Sequence, residues 1–338
     1  MAANIKDVAL KAGVSIATVS LVLNNNARIS SETKRKVLKA VKELDYHPSR
    51  SARGLVSNIT GNIGFILTDD HFLKTEPFYT RIFLGSEFAA RESEYYILLA
   101  TIDSNFREGN SLPRFLKEKN VDGIIIAGKV PSEFIRVVSK LEIPFVFVDY
   151  FPQQGDFPVV IIDNVKGGFT AVQHLINLGH TKIGFIGADI SHPSISDRLY
   201  GYKSAMQNLN LFFDERFIVL DEDYPNRACG YSAAKKLYAN KPGITAIFAC
   251  NDAMAIGAMH FLKDNGLKIP DDISLIGFDD VEADLMLDPP LSTIHVPKIE
   301  LGTEALNLLM NVIKSNAGPK KILVPIELVV RESTKKIN

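Results

Sequence analysis

The sequence predicts an all-α headpiece joined to an α/β core of two parallel-sheet lobes. Two observations carry this. The first sixty residues are basic and patterned for short helices, and after Gly61 near-continuous apolar strand runs alternate with helical stretches in two successive sets. The length, 338 residues, is itself a prior for two or three domains, each able to bury a core.

Charge separates the two parts. Residues 1–60 hold ten Lys/Arg against four Asp/Glu, a net of +6, whereas the remainder is 28 against 35, a net of −7. A small polyanion-binding head on an acidic body fits that split. Two cysteines, Cys229 and Cys250, cannot form a disulfide framework and lack metal-ligand spacing, so they read as buried thiols in a reducing compartment. The start, MAANIKDVALKAG, has no apolar signal core, and runs such as GIIIAG and PFVFV are too short to span a membrane. The expectation is a cytoplasmic protein with no membrane partner.

In the headpiece, a first helix is expected from about Ile5 to Lys11, with Ile5, Val8 and Ala9 on one side. Gly13 supplies the turn, and Ser15 stands as N-cap of a second helix, about Ile16 to Asn24. That helix points Val19, Val22 and Leu23 inward and Ala17, Ser20, Leu21 and Asn24 outward. Ser30 or Ser31 caps a third helix ending near Leu44, whose Val37, Leu38, Val41 and Leu44 complete a small core. Helix, glycine turn, helix is the helix-turn-helix arrangement, in which the second helix lies in a major groove. A protein-binding module of three helices is the alternative, and the +6 charge favours DNA. The Thr18 and Ser20 hydroxyls, the helix N-terminal amides and the lysines would contact phosphate.

Pro48 ends the third helix, and Ser49 opens a short helix to about Val56 that is unstable alone. It carries Arg50, Arg53 and Leu55. Either it folds against DNA, with Leu55 as a minor-groove wedge, or it is a flexible linker.

In the body, the strand runs are NIGFILT, YYILLA, GIIIAG, FVFVD, VVIID, KIGFIG, AIFAC and SLIGF. Helical stretches are expected at about Tyr79–Arg91, Leu112–Lys119, Gly168–Leu178, Arg198–Asn208, Cys229–Leu237 and Met254–Asn265. Ligands of open α/β sheets bind at the carboxyl ends of strands and between lobes. Candidates are therefore Asp149 after FVFV, Asn251 and Asp252 after AIFAC, and Asp279 and Asp280 after SLIGF. Arg198 is expected to open a helix, and Phe78 and Tyr79, after the first strand, can stack on a ring. Each carboxylate alone is equally well explained as a helix cap or turn former. His180, after the helix stop Gly179, reads as a structural histidine, not an acid or base. No dinucleotide, P-loop or nucleophile-elbow motif stands at a strand end, so enzyme chemistry and a cofactor are not expected.

DVALKAGVSIATVSLVLNN, YHPSRSARGL, DGIIIAG, HLINLGHTKIGFIG, GYKSAM, AIFACNDAMAIGAM, DDISLIGFDD and PPLSTIHVP together resemble, at family spacing and in order, the LacI/GalR family of bacterial transcription regulators. The resemblance implies a headpiece at 1–47, a hinge helix and linker at 48–60 that forms on operator DNA, and a periplasmic-binding-protein-like core at 61–338. The chain would cross between lobes near Asp163, Ser292 and Leu323, giving lobe one as about 61–162 and 292–322 and lobe two as about 163–291 and 323–338. It implies Ile16, Ala17 and Leu21 as principal base readers, and Arg198, Asp149, Asp279, Asn251 and Ser194 as ligand contacts. Tyr224 stands for the family's stacking aromatic, and Val296 replaces a Gln of some sugar-responsive members.

The function implied is a ligand-responsive regulator, in all expectation a repressor, binding a pseudo-palindromic operator as a homodimer. With no apolar heptad tail after the last strand, dimers are expected over tetramers. A sugar or sugar derivative is the expected effector and a nucleobase between Phe78 and Tyr224 the alternative. A sugar-binding receptor without DNA function fits poorly, given the basic headpiece.

Overall fold

The computed structural model describes residues 3–23, 29–46, 59–73, 77–152, 154–208, 214–239, 243–315, 318 and 320–337. The chain divides into two compact units, Met1–Gly61 and Asn62–Asn338.

In the first unit, helix α1 (Ile5–Ala12) opens with a reciprocal cap: the Asn4 side chain accepts from the Lys6 and Asp7 amides, and Asp7 accepts from the Asn4 amide. Gly13 ends it at φ 66°, a left-handed conformation that the tight turn requires. Helix α2 (Ile16–Leu23) starts where the Ser15 hydroxyl accepts from the Thr18 amide at 3.1 Å. Helix α3 (Ser31–Glu43) is capped by Ser30. Val8, Ala9, Val19, Val22, Val37, Ala40 and Tyr46 close the core, with Leu23, Val41 and Leu44 packed on it. Leu38 is a correction to the expected core. It is 50% exposed, because Val37, Ala40, Val41 and Leu44 already fill the i, i+3, i+4, i+7 stripe and Leu38 falls beside it. Asn24 and the expected hinge helix, with Ser49, Arg50, Arg53 and Leu55, lie outside the described residues.

The second unit holds two parallel sheets. Strands β1 (Asn62–Thr68), β2 (Tyr96–Ile102), β3 (Gly123–Ala127), β4 (Phe145–Val148) and β5 (Val159–Ile162) form the first with a late strand, β11 (Lys321–Val324), in the order β11-β5-β4-β3-β1-β2. Leu323 and Val324 still pair with β5, so this lobe runs past residue 322. Strands β6 (Ile183–Ile186), β7 (Ile218–Val219), β8 (Ala246–Ala249) and β9 (Ser274–Ile276) form the second, in the order β7-β6-β8-β9. A separate pair, β10 (Thr293–His295) and β12 (Glu327–Val329), runs antiparallel. Strands covered on both faces need apolar side chains throughout, which is why β3, β5, β6 and β8 are buried at every residue.

Helices cover the sheets: α4 (Asp69–Leu73), α5 (Phe78–Glu92), α6 (Arg114–Lys117), α7 (Ser132–Ser139), α8 (Asn164–Asn177), α9 (Pro193–Asn208), α10 (Arg227–Ala239), α11 (Asp252–Asp264) and α12 (Lys298–Ser315). Three depart from expectation. α6 is one turn instead of two, since Pro113 precedes it and Lys119 takes φ 51° just after it. α9 begins at Pro193, a residue pre-set for a first helical position, so Arg198 sits in its second turn and does not open it. α4 intervenes after β1, so Phe78 opens α5 and does not follow the strand directly. α7 and α12 are absent from the sequence reading. Cys250 is buried, whereas Cys229 is only half-buried.

α8 and α9 cross at glycine. A Cβ on Gly168 would stand 2.4 Å from the Arg198 carbonyl oxygen, and one on Gly201 would stand 2.2 Å from that of Val165. The backbones touch, and this fixes the depth at which Arg198 enters the lobe. Gly201→Ala is therefore expected to destabilise the core unit by about 1–3 kcal/mol through overpacking. Urea denaturation checks this, and an unchanged midpoint would show that the two helices separate freely.

Candidate effector cleft and DNA-reading helix

The carboxyl ends of both sheets face one cavity of about 640 Å³. Its wall includes all eight ligand positions expected from sequence: Phe78, Tyr79, Asp149, Ser194, Arg198, Tyr224, Asn251 and Asp279. Asp149 follows β4 and Asp279 follows β9, both at positive φ, 61° and 117°. Such strained non-glycine backbone collects at functional sites.

Arg198 is buried and held from several elements. Its Nε donates to Asn164 Oδ1 at 2.9 Å and its Nη1 to the Cys250 carbonyl at 2.7 Å, and the guanidinium lies 3.7 Å over the Phe278 ring. Nη2 stands 3.6 Å from Asp279 Oδ1, too far for a hydrogen bond. Asp279 Oδ1 is buried and has no hydrogen-bond partner among the described residues. Burial raises the Asp279 carboxyl above its ordinary range, opposed by Arg198 and Lys298. In the other lobe the Tyr79 hydroxyl donates to Asp149 Oδ2 at 2.9 Å. Asn251 is largely occupied: its Oδ1 accepts from the Met254 amide and its Nδ2 donates to the Pro225 carbonyl, both at 2.9 Å.

The cavity also contains residues absent from the sequence reading. His71 Nδ1 lies 3.3 Å from the Tyr224 hydroxyl, and His192 packs against His71 and Tyr150 at ring distances of 6.2 and 6.1 Å. Burial lowers both imidazoles, His71 to about 4 and His192 to about 3, so both are neutral at physiological pH. Lys129 reaches Asp189 across the mouth at 3.3 Å. Both follow strands, β3 and β6, so the strand-end rule that found Asp149 also reaches them.

Two expected ligand candidates are corrected. Asp252 is fully buried, accepting from the Thr293 hydroxyl at 2.7 Å and the Val281 amide at 3.2 Å. Asp280 pairs with His295 at 2.7 Å and with Arg331. Both turn into the protein frame, away from the cavity, because consecutive residues after a strand point to opposite sides. His180 is structural: it bonds the Thr245 hydroxyl at 2.9 Å and the Lys335 carbonyl at 3.1 Å. Val296 is buried.

In the other unit, the outer face of α2 is apolar. Ile16 is 44% and Leu21 40% exposed, with Ala17 exposed between them, so Leu21 does not pack inward with Val22. The Ser15 and Thr18 hydroxyls bond each other at 2.9 Å. Ser20 is half-buried.

Residues 4–49 match the bacterial regulatory proteins of the lacI family, and residues 172–334 match the periplasmic binding protein-like domain. An HTH-type transcriptional repressor PurR of Vibrio campbellii is 36% identical over 99% of this chain and 100% of its own length. The chain belongs to the LacI family. Solved relatives agree across the full chain. A lac repressor dimer bound to operator and the anti-inducer ONPF superposes with TM-score 0.81 at 25% identity, covering 99% of this chain and 100% of the other. A transcriptional regulator CelR in complex with cellobiose gives 0.76 at 29%, covering 98% and 99%. LacI-family members such as these are DNA-binding repressors and regulators, and no helix among the described residues is long and apolar enough to cross a membrane.

Asp149 gives this LacI-family core a pH signature. Burial pushes its carboxyl up to about 7, with Asp279 adding to the rise and Arg198 and the Tyr79 hydroxyl opposing it. A raised carboxyl makes the folded state the better proton binder, so its stabilising share is present at acid pH and is lost as pH rises through about 7. Asp149→Asn, which tolerates the left-handed backbone, should therefore gain on the native chain between about pH 5 and about pH 8, by a few kcal/mol at most. Denaturation at the two pH values measures it, and equal differences at both would refute the shift.

Proposed function

We propose that this LacI-family chain is a transcriptional repressor that binds a pseudo-palindromic operator as a homodimer and responds to a nucleobase held in the cleft. One observation carries the effector class. Arg198 and the unsatisfied Asp279 Oδ1 form an adjacent donor and acceptor in a cavity whose wall includes Phe78, Tyr79, Tyr150 and Tyr224. A planar heterocycle with ring N–H and carbonyl groups satisfies both at its edge while its faces meet aromatic rings. The full-length likeness to PurR repressors supports the same class. A sugar is the second reading, favoured by the likeness to a cellobiose complex and by vicinal hydroxyls suiting the same Arg and Asp. Ser194 and Asn251 complete the proposed ligand shell. On this reading the protein is a DNA-bound regulator that acts in the cytoplasm and not an enzyme.

The domain roles follow: residues 1–47 read DNA, 48–60 link and wedge, and 61–338 bind effector and pair the subunits. Exposed apolar side chains at Phe88, Tyr96 and Leu99 of the first lobe and Leu285 and Met286 of the second support burial against a second copy.

A thermal-shift series on the full chain tests the effector. Adenine, guanine, hypoxanthine, cytosine and uracil are compared with ribose and cellobiose. A base at 100 times its Kd should add about 2.7 kcal/mol of stability. A shift with sugars alone overturns the nucleobase reading.

For DNA, we infer readout by shape and methyl contact. Leu21 and Ala17 meet a thymine methyl, losing the arginine–guanine pair that is worth about 1–3 kcal/mol of discrimination. In vitro selection should return A·T at the half-site position facing Leu21, and an invariant G there would sink the idea.

A further inference from the structure

Behind the cavity wall formed by Asn251, Ala253, Asp279 and Val281 lie two carboxyl groups that the effector site does not use. Asp252 is the first residue of α11, and Asp284 lies in the 3-10 turn Glu282–Met286. Both are 0% exposed. The single amide of Val281 donates to both, at 3.2 Å to Asp252 Oδ2 and 2.9 Å to Asp284 Oδ2. Two carboxyl oxygens thus converge on one N–H.

The remaining oxygens give no relief. Asp252 Oδ1 accepts from the Thr293 hydroxyl at 2.7 Å, and Asp284 Oδ1 has no hydrogen-bond partner among the described residues. The cations nearby are committed elsewhere. Arg331 comes no closer than 3.9 Å to Asp284 while it donates to the Leu291 carbonyl and to Asp280. The Lys298 ammonium donates to the carbonyls of Asp279, Asp280 and Val296. Two carboxylates with no exposed surface that converge on one N–H repel each other strongly, and Arg331 at 3.9 Å from Asp284 offsets that repulsion only in part.

We propose that Asp252 and Asp284 share one proton at neutral pH, and that this proton fixes the floor of the effector cavity. Asp284 is a positioning residue acting through Val281 and Asp252. The other charged and titratable groups facing the pair are Asp279 and Asp280 on the loop after β9, His295 on β10, Lys298 at the start of α12 and Arg331 after β12. Two of these are acids, His295 is hydrogen-bonded to Asp280, and the two cations are engaged with other groups, so loss of the shared proton leaves net repulsion within the pair. The relief available is separation of the 281–284 turn from the α11 N-terminus, which carries Val281 and Asp279 with it. Burial raises both acids, and Asp284 raises the proton affinity of Asp252 further. The stabilising share of a raised acid is present at low pH and lost as pH rises.

Hydrogen exchange of the peptide Gly277–Met286 in the full chain tests this, corrected for the intrinsic pH dependence of exchange. Between about pH 6 and about pH 9 the native peptide should exchange roughly tenfold faster at the alkaline end as the floor opens. Asp284→Asn offers an N–H donor to Asp252 at every pH and should stay flat over the same range. An infrared carboxylic-acid band at neutral pH should be weaker in Asp284→Asn than in the native chain. A native profile with no pH dependence overturns the proposal by itself, as does a variant that follows the native profile. A merely structural role changes protection equally at both ends and removes no acid band.

Discussion

The arrangement of the second lobe depends on burying the Arg198 guanidinium. A dry, unpaired charge costs several kcal/mol, so each group around it has to be supplied by the fold. Asn164 comes from the start of α8, the Cys250 carbonyl from the end of β8, and the Phe278 ring and Asp279 from the segment after β9. These are the loops that shape the cleft, and the arginine ties them into one register. The side chain reaches them because the α8 and α9 backbones touch at Gly168 and Gly201. One oxygen of Asp279 is left without a donor among the described residues, and in the function proposed above a polar effector supplies it.

Contacts across the cleft have a different character. The imidazoles of His71 and His192 are neutral, so they join the lobes by ring contact and a hydrogen bond to Tyr224. The ion pair across the mouth, Lys129–Asp189, is partly solvated and therefore screened. Arg81 of α5 also meets Glu282 of the second lobe, both well exposed. Cross-lobe contacts of this strength leave closure within reach of an effector that contributes the 1–3 kcal/mol or so typical of allosteric coupling.

Strands and strand ends were legible in the sequence; the sense of each side chain was not. Continuous apolar runs such as GIIIA and VVII can be covered only on two faces, so the parallel sheets followed. Asp149 and Asp279 stood out as acids directly after strands, yet the same rule selected Asp252 and Asp280, whose side chains turn into the frame. Residue type does not distinguish the two, because the choice is set by backbone twist within one residue. His71 and His192 come from segments with no periodicity, and their meeting is purely tertiary. α12 was missed although it buries Leu301, Leu306 and Leu309, since the strands that flank it, β10 and β11, are too short to frame it as a unit.

The apolar face of α2 sets how the two functions weigh against each other. With Ile16, Ala17 and Leu21 outward, α2 as the proposed reading helix leaves affinity for DNA to phosphate contacts and duplex shape, which carry little sequence information and weaken with salt. On that reading, the base discrimination lost with a guanine-bonding side chain, about 1–3 kcal/mol, equals the usual size of an effector's coupling. Occupancy of the operator then follows effector and ionic strength more closely than in a repressor that reads guanine directly. The acidity of the body, at −7, adds to this by opposing non-specific adhesion of the second unit to DNA. On the proposed reading, selectivity rests on whether two headpieces engage together, and the dimer, more than any one side chain, is the reader.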